Sequence, residues 1–271
     1  HLERANAQIG GVDNTLSLIG PMIGGALILI ISPVTLLWLN AISFLIAGLI
    51  ALMIKEKELP ITTGKIHIWR EMWLGIKDSR KNKVIWNGAI LFFFIQLGTT
   101  LFQANLAYFA TGILHGNSFD YGLFLSGTGI GALIGVMLAP RIIKHFRSHS
   151  GKLIIFCAIF SGLSLSIISA FHLKNFILIS CALGLSALFD NIIVISYFSL
   201  RQRVVAAEIL GRVVSVTRTI SYLSIPIGAF VGGILLNYHL SIYWIIWIAV
   251  IIEILSAVWA YFTPLAKTIA E

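Results

Sequence analysis

The sequence predicts an all-α polytopic membrane protein with eight transmembrane helices. Three observations support this fold class. The chain of 271 residues is 58% hydrophobic and only 11% charged, whereas a soluble domain carries about 25% charged residues. Eight apolar stretches reach the roughly 20 residues that a helix needs to cross a bilayer. The connections between these stretches alternate between strongly basic and nearly free of lysine and arginine, which is typical of cytoplasmic and outer loops.

Each predicted span is an almost continuous apolar run. In chain order the spans are Val12–Ile31, Thr35–Ile54, Val84–Leu106, Phe119–Pro140, Leu153–Phe171, Phe176–Leu200, Val213–Leu236 and Ser241–Thr263. In the fourth span Gly127, Gly131 and Gly135 recur every four residues. They therefore share one helix face and predict close packing against another helix.

The first and seventh spans share a glycine pattern. Gly20 and the pair Gly24 and Gly25 recur with the same spacing as Gly228 and the pair Gly232 and Gly233. Repeats of this kind indicate a duplicated structural unit. The sequence therefore predicts one complete copy of a membrane unit and the last part of an earlier copy.

The loop charges predict the topology. The connection Lys55–Lys83 carries eight lysine and arginine residues, and Arg141–Lys152 and Arg201–Arg212 are also basic. The intervening connections carry none, apart from Lys174. Basic loops lie in the cytoplasm, so both chain ends are predicted to be cytoplasmic. The net charge of +8 is then a consequence of topology, and the expected partner is the lipid bilayer rather than nucleic acid.

The long connection divides the chain into residues 1–54, with two spans, a linker at 55–83, and residues 84–271, with six spans. Within the linker, five apolar side chains cluster on one side of a helical projection: Ile66, Trp69, Met72, Trp73 and Ile76. This pattern predicts an imperfect amphipathic helix on the inner leaflet. The alternative is a plain linker between two bundles, and the two interpretations are compatible.

Several segments resemble one family in the same order and spacing. The run Gly20-Pro21-Met22-Ile23-Gly24-Gly25 resembles the end of the antiporter motif in the fifth span of major facilitator superfamily exporters. Leu2–Ala7 and Leu39–Leu45 are similar to the branch of that superfamily that contains macrolide-efflux and enterobactin-exporter proteins. Tyr121–Leu123 leads into the glycine-rich span as in that branch, and Gly211–Val213 resembles the opening of the family's eleventh span.

The resemblance implies part of a twelve-helix major facilitator fold that lacks its first four spans. Residues 1–54 would be the last two spans of the N-terminal half, and 84–271 the six-span C-terminal half. The implied protein is a secondary active efflux transporter in a bacterial plasma membrane. It would exchange protons for a bulky amphipathic compound, such as a macrolide-like drug or a siderophore, by alternating access. Gly20, Pro21, Gly24 and Gly25 would shape the hinge or seal of their span.

Two other functions stay open at this stage. One is an uptake symporter of the same fold. The other is a non-transporting scaffold or fragment, because a transporter without its first four spans cannot form a complete two-sided pathway.

Asp190 is the candidate for proton coupling. It lies near the middle of the sixth span, where a charge is costly and therefore suggests a function. Burial disfavours the charged form, so this carboxyl is predicted to bind a proton or a cation. The alternative is a structural ion pair with Arg218. Arg218 itself is expected to reach the inner surface or to form a structural pair.

The substrate candidates are polar residues on the third and sixth spans. On the third span they fall at helical spacing among phenylalanines, a composition that suits a bulky amphipathic ligand. The alternative is hydrogen bonding between helices. The candidates are Gln96, Thr99, Thr100, Gln103, Ser186 and Tyr197.

The remaining polar groups predict no chemistry. Glu253 shares a face with Ala249, Ser256 and Ala257, so it is expected to be a structural charge at a helix contact. No catalytic constellation, metal-ligand spacing or phosphate-binding glycine loop is present in the sequence, so neither an enzyme nor a cofactor is predicted. Cys157 and Cys181 lie inside apolar spans, where small packing residues are expected.

Overall fold

The computed structural model describes residues 31–53, 68–146 and 149–268, and all regular structure in these ranges is helical. The chain forms two units, His1–Ile68 and Trp69–Glu271, whose boundary falls inside the predicted linker 55–83. Seven described helices are long and apolar enough to cross a membrane. The predicted first span, Val12–Ile31, lies outside the described residues except for Ile31.

The first unit contains one described helix, α1 (Pro33–Met53). The sequence predicted this span at Thr35–Ile54, two residues later at its start. The helix begins after Ser32, whose hydroxyl accepts a hydrogen bond from the Thr35 amide at 3.2 Å. Such a serine satisfies one of the amide groups that have no partner within the first turn of a helix.

The second unit contains seven long helices in its described part. They are α2 (Ile68–Lys81), α3 (Lys83–Gln103), α4 (Ser118–His145), α5 (Ser150–Ala170), α6 (Phe176–Val204), α7 (Ala207–Asn237) and α8 (Ile242–Tyr261). A short turn, Leu106–Tyr108, and a π-helical turn, Phe109–Ile113, continue the span of α3. This span therefore runs to Ile113 rather than to the predicted Leu106.

Asparagines begin three of the spans. The side-chain oxygens of Asn82, Asn117 and Asn175 accept hydrogen bonds from the first amides of α3, α4 and α6. Asp120 completes a capping box, because its carboxylate accepts a hydrogen bond from the amide of Asn117 at 2.9 Å. Asn82 also donates to the Val204 carbonyl at 3.2 Å, so the start of α3 is joined to the end of α6.

The helices of the second unit pack as successive neighbours: α4 against α6, α6 against α5, α5 against α8, α8 against α3, and α3 against α7. The contact between α4 and α6 is the closest, because Gly131 lies directly against the backbone of Gly184. An added Cβ at Gly127 or Gly135 would likewise overlap α6. The predicted glycine face of α4 is therefore confirmed as a helix contact.

Helix α2 confirms that the linker contains a helix. Gly75 lies against the side chains of Val216 and Arg212 on α7. Asp78 bonds to Lys81 at 3.0 Å and to Arg212 at 3.4 Å. These contacts join α2 to the basic end of α7, while Met72 and Trp73 remain exposed.

Candidate functional site

A layer of polar side chains separates two apolar cores in the second unit. One core includes Ile95, Ala158, Ile192 and Ala257, and the other includes Leu101, Leu165, Leu183 and Val250. Between these positions lie five residues that we call the polar layer: Thr99, Ser161, Ser186, Asp190 and Glu253. Helices α3, α5, α6 and α8 each contribute to it.

Asp190, the central residue of α6, is held by two serines. The Ser161 hydroxyl of α5 donates to Asp190 Oδ1 at 2.7 Å, and the hydroxyls of Ser161 and Ser186 lie 2.9 Å apart. A chain of donation from Ser186 to Ser161 to Asp190 stabilises the carboxylate. Asp190 itself is only half-buried.

The alternative ion pair with Arg218 is not formed in the described part of the chain. There, Asp190 Oδ1 accepts a hydrogen bond from Ser161, and the salt bridges involve Asp78. The guanidinium of Arg218 lies 5.2 Å from the ring centre of Tyr222, and the side chain is exposed. None of the described residues thus places a positive charge beside Asp190 in the polar layer.

Glu253 lies in the middle of α8 and is completely buried. Thr99 Oγ1 is 3.0 Å from Glu253 Oε1, whereas Oε2 has no hydrogen-bond partner among the described residues. Two glycines leave space for the carboxyl: an added Cβ at Gly98 or Gly162 would come within 3.3 Å of one of its oxygens. The sequence placed Glu253 at a helix contact but gave no sign that Thr99 would face it.

The six substrate candidates occupy three different settings. Thr99 and Ser186 belong to the polar layer. Tyr197 is buried, donates to the Ile85 carbonyl at 3.1 Å and stacks on Phe92 at 5.7 Å. Gln96 and Thr100 are half-buried and Gln103 is exposed, so these three lie on a less enclosed face of α3. Their roles in substrate binding stay predictions.

Comparison with known families decides the class of protein. The family profile described as Major Facilitator Superfamily matches residues 1–229. The chain belongs to the Major Facilitator Superfamily. It is a multi-pass membrane protein of a family of secondary transporters, in agreement with its seven described membrane-length helices. The macrolide-efflux and enterobactin-exporter branch is a finer prediction that this match leaves open.

A curated relative is similar over almost the whole chain. The "Uncharacterized MFS-type transporter YvqJ" of Bacillus subtilis (strain 168) is 25% identical over 274 residues, which cover 98% of this chain and 63% of the relative. The chain thus spans less than two thirds of that protein. No solved structure gives a significant match.

The superfamily motif predicted at Gly20, Pro21, Gly24 and Gly25 lies outside the described residues, so its hinge role stays a prediction. The residues that the structure describes contain no group of three or more histidines, cysteines or acidic residues that could hold a metal ion.

Arg201 is a buried charge that its place in the sequence predicted only as part of a basic loop. Its guanidinium donates to Thr217 Oγ1 at 3.0 Å and lies 4.8 Å from the ring centre of Phe198. The residue therefore joins the basic end of α6 to α7. The signal in the sequence was its position directly after an apolar span, which does not distinguish a buried arginine from an exposed one.

Proposed function

We propose that this chain belongs to a proton-coupled efflux transporter that exports a bulky amphipathic compound, such as a macrolide-like drug or a siderophore. The observation that supports this proposal is Asp190, a carboxyl at the centre of α6 that is bonded to Ser161 and has no basic partner among the described residues. A carboxyl of this kind can gain and lose a proton during a transport cycle.

Both protonation states of Asp190 have a favourable environment. When the carboxyl is ionised, the donated hydrogen bond from Ser161 stabilises the charge. When it is protonated, the side chain brings no charge into the interior of the membrane, where a charge costs about 2.5–3.5 kcal/mol or more. In an antiport cycle, substrate binding on the cytoplasmic side would displace the proton that entered from outside.

The less enclosed face of α3 supports an amphipathic substrate. Gln96, Thr100 and Gln103 recur at helical spacing on this face, and Phe93 extends it by one turn. A few amides and hydroxyls beside aromatic rings provide orientation and apolar contact for a large ligand. This proposal assigns the polar layer to proton binding and this face of α3 to the substrate.

The test uses inside-out vesicles that contain the full-length native protein. With an acidic vesicle interior, erythromycin or a catecholate siderophore should accumulate, and a protonophore should abolish the accumulation. Asp190→Asn should abolish proton-driven accumulation while the protein still inserts. Asp120→Asn is the matched control, because this carboxyl lies at a helix start, and it should leave transport unchanged. Unchanged transport by Asp190→Asn would remove Asp190 from the mechanism.

The same assay separates the two alternatives. An uptake symporter would accumulate the substrate in right-side-out vesicles with a proton gradient directed inward. A non-transporting scaffold would accumulate it in neither orientation. An immunoblot with an antibody against Lys55–Lys83 would also measure the mass of the native gene product. A mass no larger than that of this chain would favour the scaffold.

A further inference from the structure

The hydrogen bonds around Glu253 indicate whether its carboxyl group carries a proton. Thr99 Oγ1 lies 3.0 Å from the Ile95 carbonyl oxygen and 3.0 Å from Glu253 Oε1. A hydroxyl donates a single proton, so it cannot serve both acceptors fully if Glu253 is ionised. If Glu253 is protonated, its own O–H donates to Thr99 Oγ1 while Thr99 donates to Ile95. Each contact then has its own proton.

The surroundings of Glu253 offer no positive charge in the described part of the chain. Helix α3 presents Gly98 and Thr99, and α5 presents Gly162. The titratable group near Glu253 in this part of the chain is the Asp190 carboxyl on α6, and the thiol of Cys157 on α5 lies near Asp190. A buried carboxylate with one shared hydrogen bond and an unpaired oxygen is strongly disfavoured relative to the protonated acid. A second negative charge nearby disfavours the carboxylate further.

Helix α5 brings the two carboxyls to one place. Ser161 donates to Asp190, and the next residue, Gly162, leaves the space that Glu253 Oε2 occupies. Because Ser161 and Gly162 are consecutive residues, the contact to Asp190 and the contact to Glu253 lie on the same turn of α5. A negative charge on one carboxyl raises the cost of ionising the other, so their protons are bound as one system.

We propose that Asp190 and Glu253 form one two-carboxyl proton site, in which Glu253 keeps its proton and Asp190 exchanges one. The difference between the two residues supports this division. Asp190 is half-buried and receives a hydrogen bond that favours its charged form. Glu253 is completely buried, and among the described residues its one hydrogen-bond partner is the Thr99 hydroxyl, which also contacts the Ile95 carbonyl. A neutral Glu253 limits the site to one negative charge when the Asp190 proton leaves.

Infrared spectroscopy of the purified full-length protein tests this assignment. A protonated carboxylic acid has a carbonyl stretch distinct from that of a carboxylate. At neutral pH the wild-type protein should show this acid band, and Glu253→Gln should lose its Glu253 component. Glutamine has the shape and neutrality of the protonated acid, so this variant is expected to fold. Asp120→Asn is the matched control and should keep the band.

Isotope labelling gives the same answer without a substitution. Labelling glutamate with ¹³C at the carboxyl should shift the band in the wild-type protein at neutral pH, and labelling aspartate should leave that component in place. A band unchanged by both Glu253→Gln and glutamate labelling would overturn the proposal. An acid band of Glu253 that disappears between neutral pH and pH 8 would also overturn it, because Glu253 would then exchange its proton.

One part of the inference rests on the proposed function, namely that the proton exchanged at Asp190 drives export. The infrared result does not require transport. If the acid band is present but Asp190→Asn exports normally, the proposed function fails while the protonation of Glu253 stands. If export depends on Asp190 but the band is absent, the two-carboxyl site fails while the proposed function stands.

Discussion

Helix α6 has two sides that are built differently. On one side Gly184 lies against the backbone of Gly131 in α4, and Ser180 donates to the Leu123 carbonyl at 2.7 Å. On the other side Ser186 and Asp190 face Ser161 of α5. The first contact depends on shape and does not respond to pH. The second depends on which groups carry protons, so only this side can change when a proton binds.

The largest expected effect comes from adding one methyl group to the glycine side. Gly131→Ala places a Cβ into the Gly184 carbonyl, so α4 and α6 must separate. Overpacking of this kind costs about 3 kcal/mol, and thermal unfolding of the purified full-length protein should show the loss. Gly122→Ala, also on α4, has open space around its added Cβ and should not lower the unfolding temperature. Equal stability of the two variants would disprove the close contact.

The second-largest effect is expected on the side of α6 where Asp190 faces Ser161 of α5. Ser161→Ala removes the hydrogen bond to Asp190, and a bond to a charged group contributes about 2 kcal/mol. Proton-driven export at neutral pH should fall roughly tenfold or more, since 1.4 kcal/mol corresponds to a factor of ten, and the loss of stability should not exceed about 2 kcal/mol. In the control Ser164→Ala, the lost bond is to Phe160 of the same helix, and export should be retained. Similar export by both serine variants would count against the bond between Ser161 and Asp190.

A smaller loss of stability is expected at Tyr197, which lies on α6 between Asp190 and the basic end of the helix. Tyr197→Phe removes the bond to the Ile85 carbonyl and keeps the ring stacked on Phe92. The expected loss of stability is about 1 kcal/mol, measured by thermal unfolding. Tyr261→Phe, at an exposed position of α8, should change nothing. A change in substrate affinity without a change in stability would instead support the predicted place of Tyr197 in the substrate cavity.

The smallest effect lies away from both sides of α6. Hydrogen bonding to Lys81, with a further contribution from Arg212, lowers the pKa of Asp78 below its ordinary value of 3.8. A carboxyl with a lowered pKa stabilises the folded state fully above its ordinary pKa, and the contribution is lost as pH falls through the lowered value. The protection factors of the α2 amides, which correct exchange rates for their intrinsic pH dependence, should therefore fall in Asp78→Asn at neutral pH and in the wild type at strongly acidic pH.

This effect should be confined to α2. Lys77→Gln, at an exposed position of the same helix, serves as the control and should leave exchange unchanged. Faster exchange throughout α7 in Asp78→Asn would show that Asp78 supports more than the attachment of α2.

The sequence predicted most of the spans because each is a local property of an apolar run. The start of α6 at Phe176 was predicted at the residue observed. Helix α7 begins at Ala207, before the predicted Val213, because its first turns are polar and fall outside the apolar run. The third span extends beyond Leu106 because a π-helical turn continues it, and hydropathy does not distinguish such a turn from a loop.

The polar layer was less accessible to sequence reasoning. Asp190 stood out because it is an isolated charge in the middle of an apolar span. The partners could not be found in the same way, since Thr99 and Glu253 are 154 residues apart. Helical periodicity placed each on a polar or small-residue face, but which faces meet is decided by the order in which the helices pack.

The release of protons on substrate binding tests the role of Asp190 most directly. Full-length protein in weakly buffered detergent solution would be mixed with erythromycin, and a pH-indicator dye would report the protons released. We expect release by the wild-type protein and by Glu253→Gln, whose Asp190 is intact, and none by Asp190→Asn. Release by Asp190→Asn equal to that of the wild type would contradict the assignment of Asp190 as the exchanging carboxyl.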